Sequence, residues 1–210
     1  MSITLNLIVD PMCSWCWGFR PVWSSFAESL GRDVQVVDLM GGLAPDSDVP
    51  MDPEMRAYVQ SAWHAVAART GASFNFDFWQ QATPRRSTYP ACRSVIAAGL
   101  QDAKARGAMY DAIQTAFFLE ARNPSLNSEL ETLAAETGLD SDRFARDLRS
   151  QEVESRFTAE RETARRFGVT GFPTVIWCWQ EPDQPTRYGL LAAGYTDLDT
   201  LLSRWNELIA

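Results

Sequence analysis

Cys13-Ser14-Trp15-Cys16, shortly after the apolar run Ile3-Thr4-Leu5-Asn6-Leu7-Ile8-Val9, is the stretch that decides the fold of this chain. The apolar run predicts a β-strand, and a helix that begins at Cys13 would place both sulfurs on one face. At that spacing the two sulfurs can form a disulfide with little backbone movement. The free N–H groups at the helix start favour a thiolate, which is the form that attacks disulfides. The stretch therefore favours redox chemistry over a purely structural role.

Two other roles for the cysteine pair are a zinc half-site and a permanent disulfide. Zinc usually needs a second Cys or His pair, but His64 is the only histidine in the chain. Four cysteines in 210 residues are too few for a disulfide scaffold, and Cys92 and Cys178 stand alone. This usage fits a reducing compartment, where such a pair is more often catalytic or metal-binding than a permanent disulfide. We therefore predict no metal site.

Charge and hydropathy exclude several classes of partner. The net charge is −8, and no dense Lys/Arg cluster is present, so nucleic acid is not expected. No uncharged apolar stretch approaches the roughly 18 residues that a membrane span needs. The first residues have no basic segment or small-residue cleavage site, which predicts a cytoplasmic protein without a membrane partner.

The remaining elements follow a clear order along the chain. A strand-like run at residues 34–40 completes a β-α-β opening. Residues 50–167 have apolar positions at helical spacing. Strand composition returns at residues 174–179 and 188–192, which predicts an antiparallel hairpin, and a helix at residues 197–208 ends the order. The sequence thus predicts an α/β fold with a mixed sheet: β-α-β, a helical insertion, then β-β-α.

Three local signals set expected helix boundaries. The first helix is expected to run from Cys13 to about residue 30, with Pro21 inside it as a kink. A helix that begins after residue 87 or 88 is expected to run towards Arg106 and to be closed by Gly107. Ser128 with Glu131 forms a capping-box pattern for a later helix.

The cysteine pair, followed far downstream by Val169-Thr170-Gly171-Phe172-Pro173-Thr174, resembles the thioredoxin superfamily. The helical block between the second and third strands is similar to the DsbA branch. Asp10-Pro11-Met12-Cys13-Ser14-Trp15-Cys16-Trp17-Gly18 together with Tyr89-Pro90-Ala91-Cys92-Arg93 resembles the FrnE-like members of that branch. The resemblance implies a thioredoxin-like domain at residues 1–45 and 168–210, and a helical insertion domain at residues 46–167.

The same resemblance implies roles for individual residues. Cys13 would be the nucleophile, and Cys16 the resolving thiol, more buried and less acidic. Pro173 would be cis and lie against the pair, with Phe172 as a specificity contact for an extended substrate. Ser14 and Trp15 would tune the redox potential, and Trp15 would be accessible.

Asp10 and the nearby aromatic residues each permit two interpretations. Asp10 is either a proton relay for the cysteines or the opener of a turn with Pro11. Trp17, Phe19 and Trp23 form either an apolar surface around the thiols or part of the core.

The three remaining candidates for chemistry lie outside the motif. Cys92 and Cys178 are expected to be buried small hydrophobic residues, with a second redox pair between them as the alternative. His64 is most simply a helix residue without a functional role.

The function favoured by these residues is thiol-disulfide exchange between Cys13-Cys16 and protein or glutathione disulfides. No bound cofactor is expected, and glutathione would be a co-substrate. One alternative is a glutathione-dependent isomerase or transferase of the kappa-class or hydroxychromene-carboxylate isomerase type, although those relatives place serine at the position of Cys13. Another is a chaperone or adaptor with redox-inert cysteines.

The dipeptide between the cysteines predicts the redox potential. DsbA proteins carry a histidine there that stabilises the thiolate and makes them strong oxidants, whereas Ser14-Trp15 contains none. We therefore predict a reduction potential more negative than the value of about −120 mV for DsbA. Equilibration with glutathione buffers, followed by alkylation of free thiols, measures it. A potential at or above that of DsbA would contradict the prediction.

Overall fold

A four-stranded mixed sheet organises the protein, whose structure is a computed structural model that describes residues 2–210. The strands are β1 (Ser2–Val9), β2 (Val34–Met40), β3 (Thr174–Gln180) and β4 (Arg187–Ala193). They lie in the order β2-β1-β3-β4. β1 is parallel to β2 and antiparallel to β3, and β3 and β4 form the antiparallel hairpin. The predicted fold class and order of elements are confirmed.

Seven of the nine helices within residues 2–210 lie between β2 and β3. The helices are α1 (Ser14–Glu28), α2 (Pro53–Thr70), α3 (Phe78–Gln81), α4 (Tyr89–Gln101), α5 (Ala105–Phe118), α6 (Asn127–Glu136), α7 (Ser141–Leu148), α8 (Gln151–Arg166) and α9 (Leu198–Ile209). The first helix continues through Pro21. Side chains cap the starts of α2, α7, α8 and α9, each accepting a hydrogen bond from a free backbone N–H.

Two of the expected helix boundaries are wrong. Gly107 does not close a helix, because α4 already ends at Gln101 and Gly107 lies in the first turn of α5. The break comes from Asp102, whose extended backbone leaves the helix and whose carboxylate accepts a hydrogen bond from the Lys104 N–H. Ser128 is not a cap either, because α6 begins one residue before it and no side chain caps that helix.

The largest buried cluster joins the helical block to the cysteine motif. It contains Cys13, Cys16 and Cys92 together with the fully buried Trp63, which packs against six other aromatic rings. A second cluster fills the space between the sheet, α1 and α9. The division into residues 1–45 with 168–210 and 46–167 stays a prediction, and its first residue, Met1, lies outside the described residues.

Arg106 on α5 connects the helical block to the sheet. Its guanidinium donates hydrogen bonds to the carboxylate of Asp38 on β2 and, at 2.8 Å, to Glu160 on α8. Glu160 also accepts a 2.6 Å bond from the Met40 N–H. Burial raises the pKa of Glu160, and the Arg106 charge opposes that rise. The arginine therefore keeps a largely buried carboxylate charged between three elements.

We predict that Arg106→Gln lowers the free energy of unfolding by about 2 kcal/mol, because it leaves Glu160 buried without its counter-charge. The loss of Arg106 raises the pKa of Glu160 further, so the native variant takes up a proton more readily than its unfolded chain. Its deficit relative to wild type is therefore expected to shrink as the pH falls. Urea unfolding at several pH values measures this, with the exposed Arg156→Gln as control. Equal losses in both variants would contradict the prediction.

Candidate redox site

The two cysteines of the motif occupy the start of α1. Cys13 is the N-cap residue in an extended conformation, so the helix begins one residue later than expected. Its carbonyl accepts a 3.0 Å hydrogen bond from the Trp17 N–H, and its own N–H donates to the carbonyl of Asp10. Cys13 is 6% exposed and Cys16 3% exposed, and both are free thiols. Cys16 is the more buried of the two, as expected, but Cys13 is almost fully covered as well.

Cys13 lies against the segment that precedes β3. Its Sγ lies 3.6 Å from the carbonyl oxygen of Phe172, to which the thiol donates a hydrogen bond. The Phe172–Pro173 peptide bond is cis, and Pro173 is buried. A side chain at Gly41 would overlap the Phe172 ring. The loop after β2 therefore needs a residue without a Cβ atom where it packs against this ring. The structure thus places Phe172 and Pro173 beside the nucleophile candidate.

Cys16 faces a different environment from Cys13. It lines a cavity of about 300 Å³ between α1, α5 and the sheet, together with Tyr110. An ion pair of 3.0 Å between Arg20 and Asp111 lies at the same cavity. Burial raises the pKa of the Cys16 thiol well above its usual range, and the adjacent Cys13 adds to the effect. Cys16 is therefore a weakly acidic thiol within one helical turn of Cys13.

The carboxylate of Asp10 is fully buried beneath the motif. One oxygen accepts a 2.8 Å hydrogen bond from the Met12 N–H, which closes the turn that leads to Cys13. The other accepts bonds from the Leu43 N–H at 2.7 Å, the Thr88 hydroxyl at 2.5 Å and the Cys92 thiol at 3.5 Å. Asp10 therefore shapes the turn and also joins the motif to α4.

Electrostatic coupling links Asp10 to the buried thiols. Burial raises the pKa of Asp10, while the hydrogen bond from Thr88 and the two backbone N–H donors oppose the rise. Burial and the charge of Asp10 raise the pKa of Cys92 well above its usual range. Burial and the adjacent Cys13 raise the pKa of Cys16, and the charge of the Asp10 carboxylate adds a smaller increase. A change at Asp10 should consequently alter the ionisation of Cys16.

The other residues expected near the site have mixed surroundings. Ser14 is buried, and Trp15 is half-buried, with its ring centroid 6.4 Å from that of Tyr195. Phe19 is buried in the core. Trp17 and Trp23 are half-buried; Trp17 stacks on a phenylalanine of α5, and Trp23 packs on the core beside α9. These contacts favour the core interpretation for Phe19 and leave part of each tryptophan exposed.

Cys92, Cys178 and His64 have different surroundings. Cys92 is fully buried in the cluster that contains the motif, whereas Cys178 is half-buried against a different cluster and accepts a hydrogen bond from the Asn6 amide. Both are free thiols. His64 is exposed and stacks on Phe76, with 4.3 Å between ring centroids.

Residues 2–210 contain no group of three or more His, Cys, Asp or Glu side chains placed to hold a metal ion. Over the same residues, no helix is both long enough and apolar enough to cross a membrane.

Sequence reasoning missed several members of the site. Thr88 and Leu43 hold Asp10, and Tyr110 lines the cavity at Cys16. Thr88 immediately precedes the Tyr89-Pro90 stretch that carries the family resemblance, which is the one signal that could have indicated it. Leu43 contributes a backbone N–H, which no sequence pattern identifies.

Comparison with known proteins defines the class. The family model that matches residues 7–202 is described as Thioredoxin, and the chain belongs to this family. A structure from Nitrosomonas europaea, provisionally described as a protein disulfide isomerase, is 29% identical, with a TM-score of 0.85 over 100% of this chain and 98% of that one. The cytosolic disulfide reductase DsbM from Pseudomonas aeruginosa, solved with GSH, shares the fold at 24% identity and a TM-score of 0.74, over 99% of this chain and 100% of its own.

A curated relative carries a different description. The chain is 27% identical over 177 residues to the ClpXP adapter protein SpxH of Bacillus subtilis. The match covers 83% of this chain and spans 58% of the length of the adapter. A 2-hydroxychromene-2-carboxylate isomerase also shares the fold, at 16% identity and a TM-score of 0.65, over 98% of this chain and 96% of that one. The structural relatives thus include DsbA-type oxidoreductases, and the fold alone is compatible with other activities.

We predict that Asp10→Asn shifts the pH profile of the resolving step to lower pH. Because burial raises the pKa of Cys16, a resolving step carried out by this thiol is expected to speed up towards alkaline pH, and loss of the Asp10 charge lowers that pKa. Single-turnover release of a thiol from the mixed disulfide, followed from pH 6 to 10, measures the profile. Cys178→Ser is the control, because Cys178 lies in another cluster. A uniform loss of rate without a shift in the profile would assign Asp10 a purely structural role.

Proposed function

We propose that the protein is a thiol-disulfide oxidoreductase that reacts through Cys13 and Cys16. The observation that carries the proposal is the placement of the Cys13 thiol at the start of α1, 3.6 Å from the carbonyl of Phe172, with Cys16 one turn behind it. The fold supports the same assignment, because the described structural relatives include disulfide oxidoreductases.

The exchange follows two displacements. The Cys13 thiolate attacks one sulfur of a substrate disulfide, and the other substrate sulfur leaves as a thiolate. The Cys16 thiolate then attacks the sulfur of Cys13 in the mixed disulfide and releases the second substrate thiolate. The substrate gains two electrons and, after protonation, two protons, while the protein acquires a Cys13–Cys16 disulfide. The reverse sequence oxidises a dithiol substrate, and the reduction potential decides the direction.

The contact between Cys13 and Phe172 connects ionisation to substrate binding. The Phe172 carbonyl accepts the hydrogen of the Cys13 thiol. When Cys13 loses its proton, this carbonyl loses its donor and becomes free to accept an N–H from an extended peptide. Formation of the nucleophile therefore exposes the backbone acceptor that would hold the substrate strand.

We assign protein or peptide disulfides and glutathione as exchange partners, and the cytoplasm as the location. The Pseudomonas aeruginosa relative is described as cytosolic and was solved with GSH, which supports this choice. A glutathione-dependent isomerase is the weaker alternative, since the isomerase relative shows the fold alone.

The second candidate function is that of an adapter. The similarity to SpxH favours it, although the chain spans 58% of the length of that protein. An adapter binds its client through a surface and does not require Cys13. Loss of Cys13 should then leave client binding unchanged.

One set of variants separates the two functions. Cys16→Ala removes the resolving thiol, so we expect it to accumulate mixed disulfides at Cys13 when incubated with cell lysate. Cys13→Ala should form none, and Cys178→Ser should exchange disulfides as wild type does. Non-reducing electrophoresis with mass spectrometry before and after thiol treatment measures the adducts. If all variants bind the same partner in a way that thiol treatment does not reverse, and Cys16→Ala forms no adducts, the result would contradict exchange and support the adapter function.

A further inference from the structure

Phe172 also lines a cavity of about 240 Å³ that does not include the two cysteines of the motif. Its walls are residues 41–43 after β2, the last turns of α8, and residues 169–172. Phe172 therefore connects the cavity to the motif. Its carbonyl oxygen contacts the Cys13 sulfur, and the same residue lines the cavity. A molecule bound in the cavity would lie beside any disulfide that reacts at Cys13.

Two arginines on α8 give this cavity its charge. Arg161 and Arg165, one turn apart, both line it. The Arg161 guanidinium stacks over the Tyr89 ring at 4.3 Å from the ring centroid, and Phe157 lies behind at 5.4 Å. Stacking holds the arginine by its face and leaves its N–H groups at the edge free to bind a ligand.

The residues that the structure describes leave both arginines without a carboxylate partner. Within residues 2–210, neither Arg161 nor Arg165 forms an ion pair with a carboxylate. The neighbouring Glu160 is engaged elsewhere, by Arg106 and the Met40 N–H. In a chain of net charge −8, two uncompensated cations at one cavity mark a site for an anion.

We propose that this cavity binds a carboxylate of the disulfide or thiol that reacts at Cys13. The proposal rests on the exchange function above and deepens it by naming a substrate class. Arginine binds carboxylates through paired hydrogen bonds, and the cavity has room for a short carboxylate-bearing fragment. The carboxylate comes either from glutathione or from an acidic residue near the cysteine of a peptide substrate.

With glutathione disulfide as the substrate, atoms and electrons of the exchange balance. The Cys13 thiolate attacks one sulfur, one glutathione leaves as a thiolate, and the bound half becomes the mixed disulfide. Cys16 then displaces the second glutathione thiolate, so the protein loses two electrons and one disulfide yields two thiols. The arginines take no part in bond formation; they position the carboxylate and lower the KM for charged substrates.

The test compares a charged with an uncharged disulfide. The variants are Arg161→Gln, Arg165→Gln and the double substitution, and the matched control is Arg166→Gln, which lies on the same helix but does not line the cavity. For each, the reduced protein is mixed with excess glutathione disulfide or neutral hydroxyethyl disulfide, and the second-order rate constant of its single oxidation is measured. We expect the ratio of the two rate constants to fall about threefold for one arginine and about tenfold for both, mainly because the charged disulfide binds more weakly. Arg166→Gln should keep the wild-type ratio.

Two further measurements identify the source of the effect. Added salt should reduce the wild-type ratio, because screening weakens an exposed ion pair, and Arg161→Lys should retain part of the preference. Peptide disulfides with acidic or neutral residues beside the cysteine form the second arm. A loss confined to acidic peptides assigns the site to protein substrates, and a loss with glutathione disulfide assigns it to glutathione; both support carboxylate binding. Circular dichroism verifies that each variant is folded.

The contrary outcomes are distinct. Intact exchange with an unchanged ratio in the double variant, for both glutathione and acidic peptides, would overturn the carboxylate site and leave the exchange function standing. A wild-type protein that reacts with neither charged nor neutral disulfides would overturn the exchange function itself.

Discussion

Four hydrogen bonds converge on the buried carboxylate of Asp10, and their donors come from three separate parts of the chain. Met12 belongs to the turn before the cysteines, Leu43 to the loop after β2, and Thr88 and Cys92 to the start of α4. A buried carboxylate without these donors would be costly, so folding must bring all three segments to it. This requirement fixes the motif relative to the helical block and sets the position of Cys13.

Burial, together with the charge of the same carboxylate, raises the pKa of two of the thiols. Cys16 and Cys92 are buried near a negative charge, which disfavours their thiolate forms, and Cys92 is a donor to that charge. Cys13 lies at the start of a helix, where backbone N–H groups point outwards. Burial alone does not separate Cys13 from Cys16, because both are almost fully covered. The two sulfurs differ in their position on the helix and in the groups that surround them.

The sequence predicts much of this arrangement, and the predictions that are wrong have physical causes. Strand composition and the motif predicted the order of elements, because both are local signals. The predicted helix boundaries at Gly107 and Ser128 are wrong because glycine and serine also occur inside helices. The end of α4 is instead set by the extended backbone at Asp102. Thr88 lies 78 residues from Asp10 and Glu160 lies 54 residues from Arg106, so the distance between these partners in the chain hides the contacts from a local pattern.

The contact between Gly41 and the Phe172 ring constrains how this chain can diverge. Gly41 follows β2 and Phe172 precedes β3, far along the chain. A single methyl group added at Gly41 would nevertheless overlap the Phe172 ring. A larger residue at position 41 is compatible with the fold only if position 172 becomes smaller. The two positions are therefore expected to change together among homologues, and such correlated changes would show that the close approach of these two loops is retained.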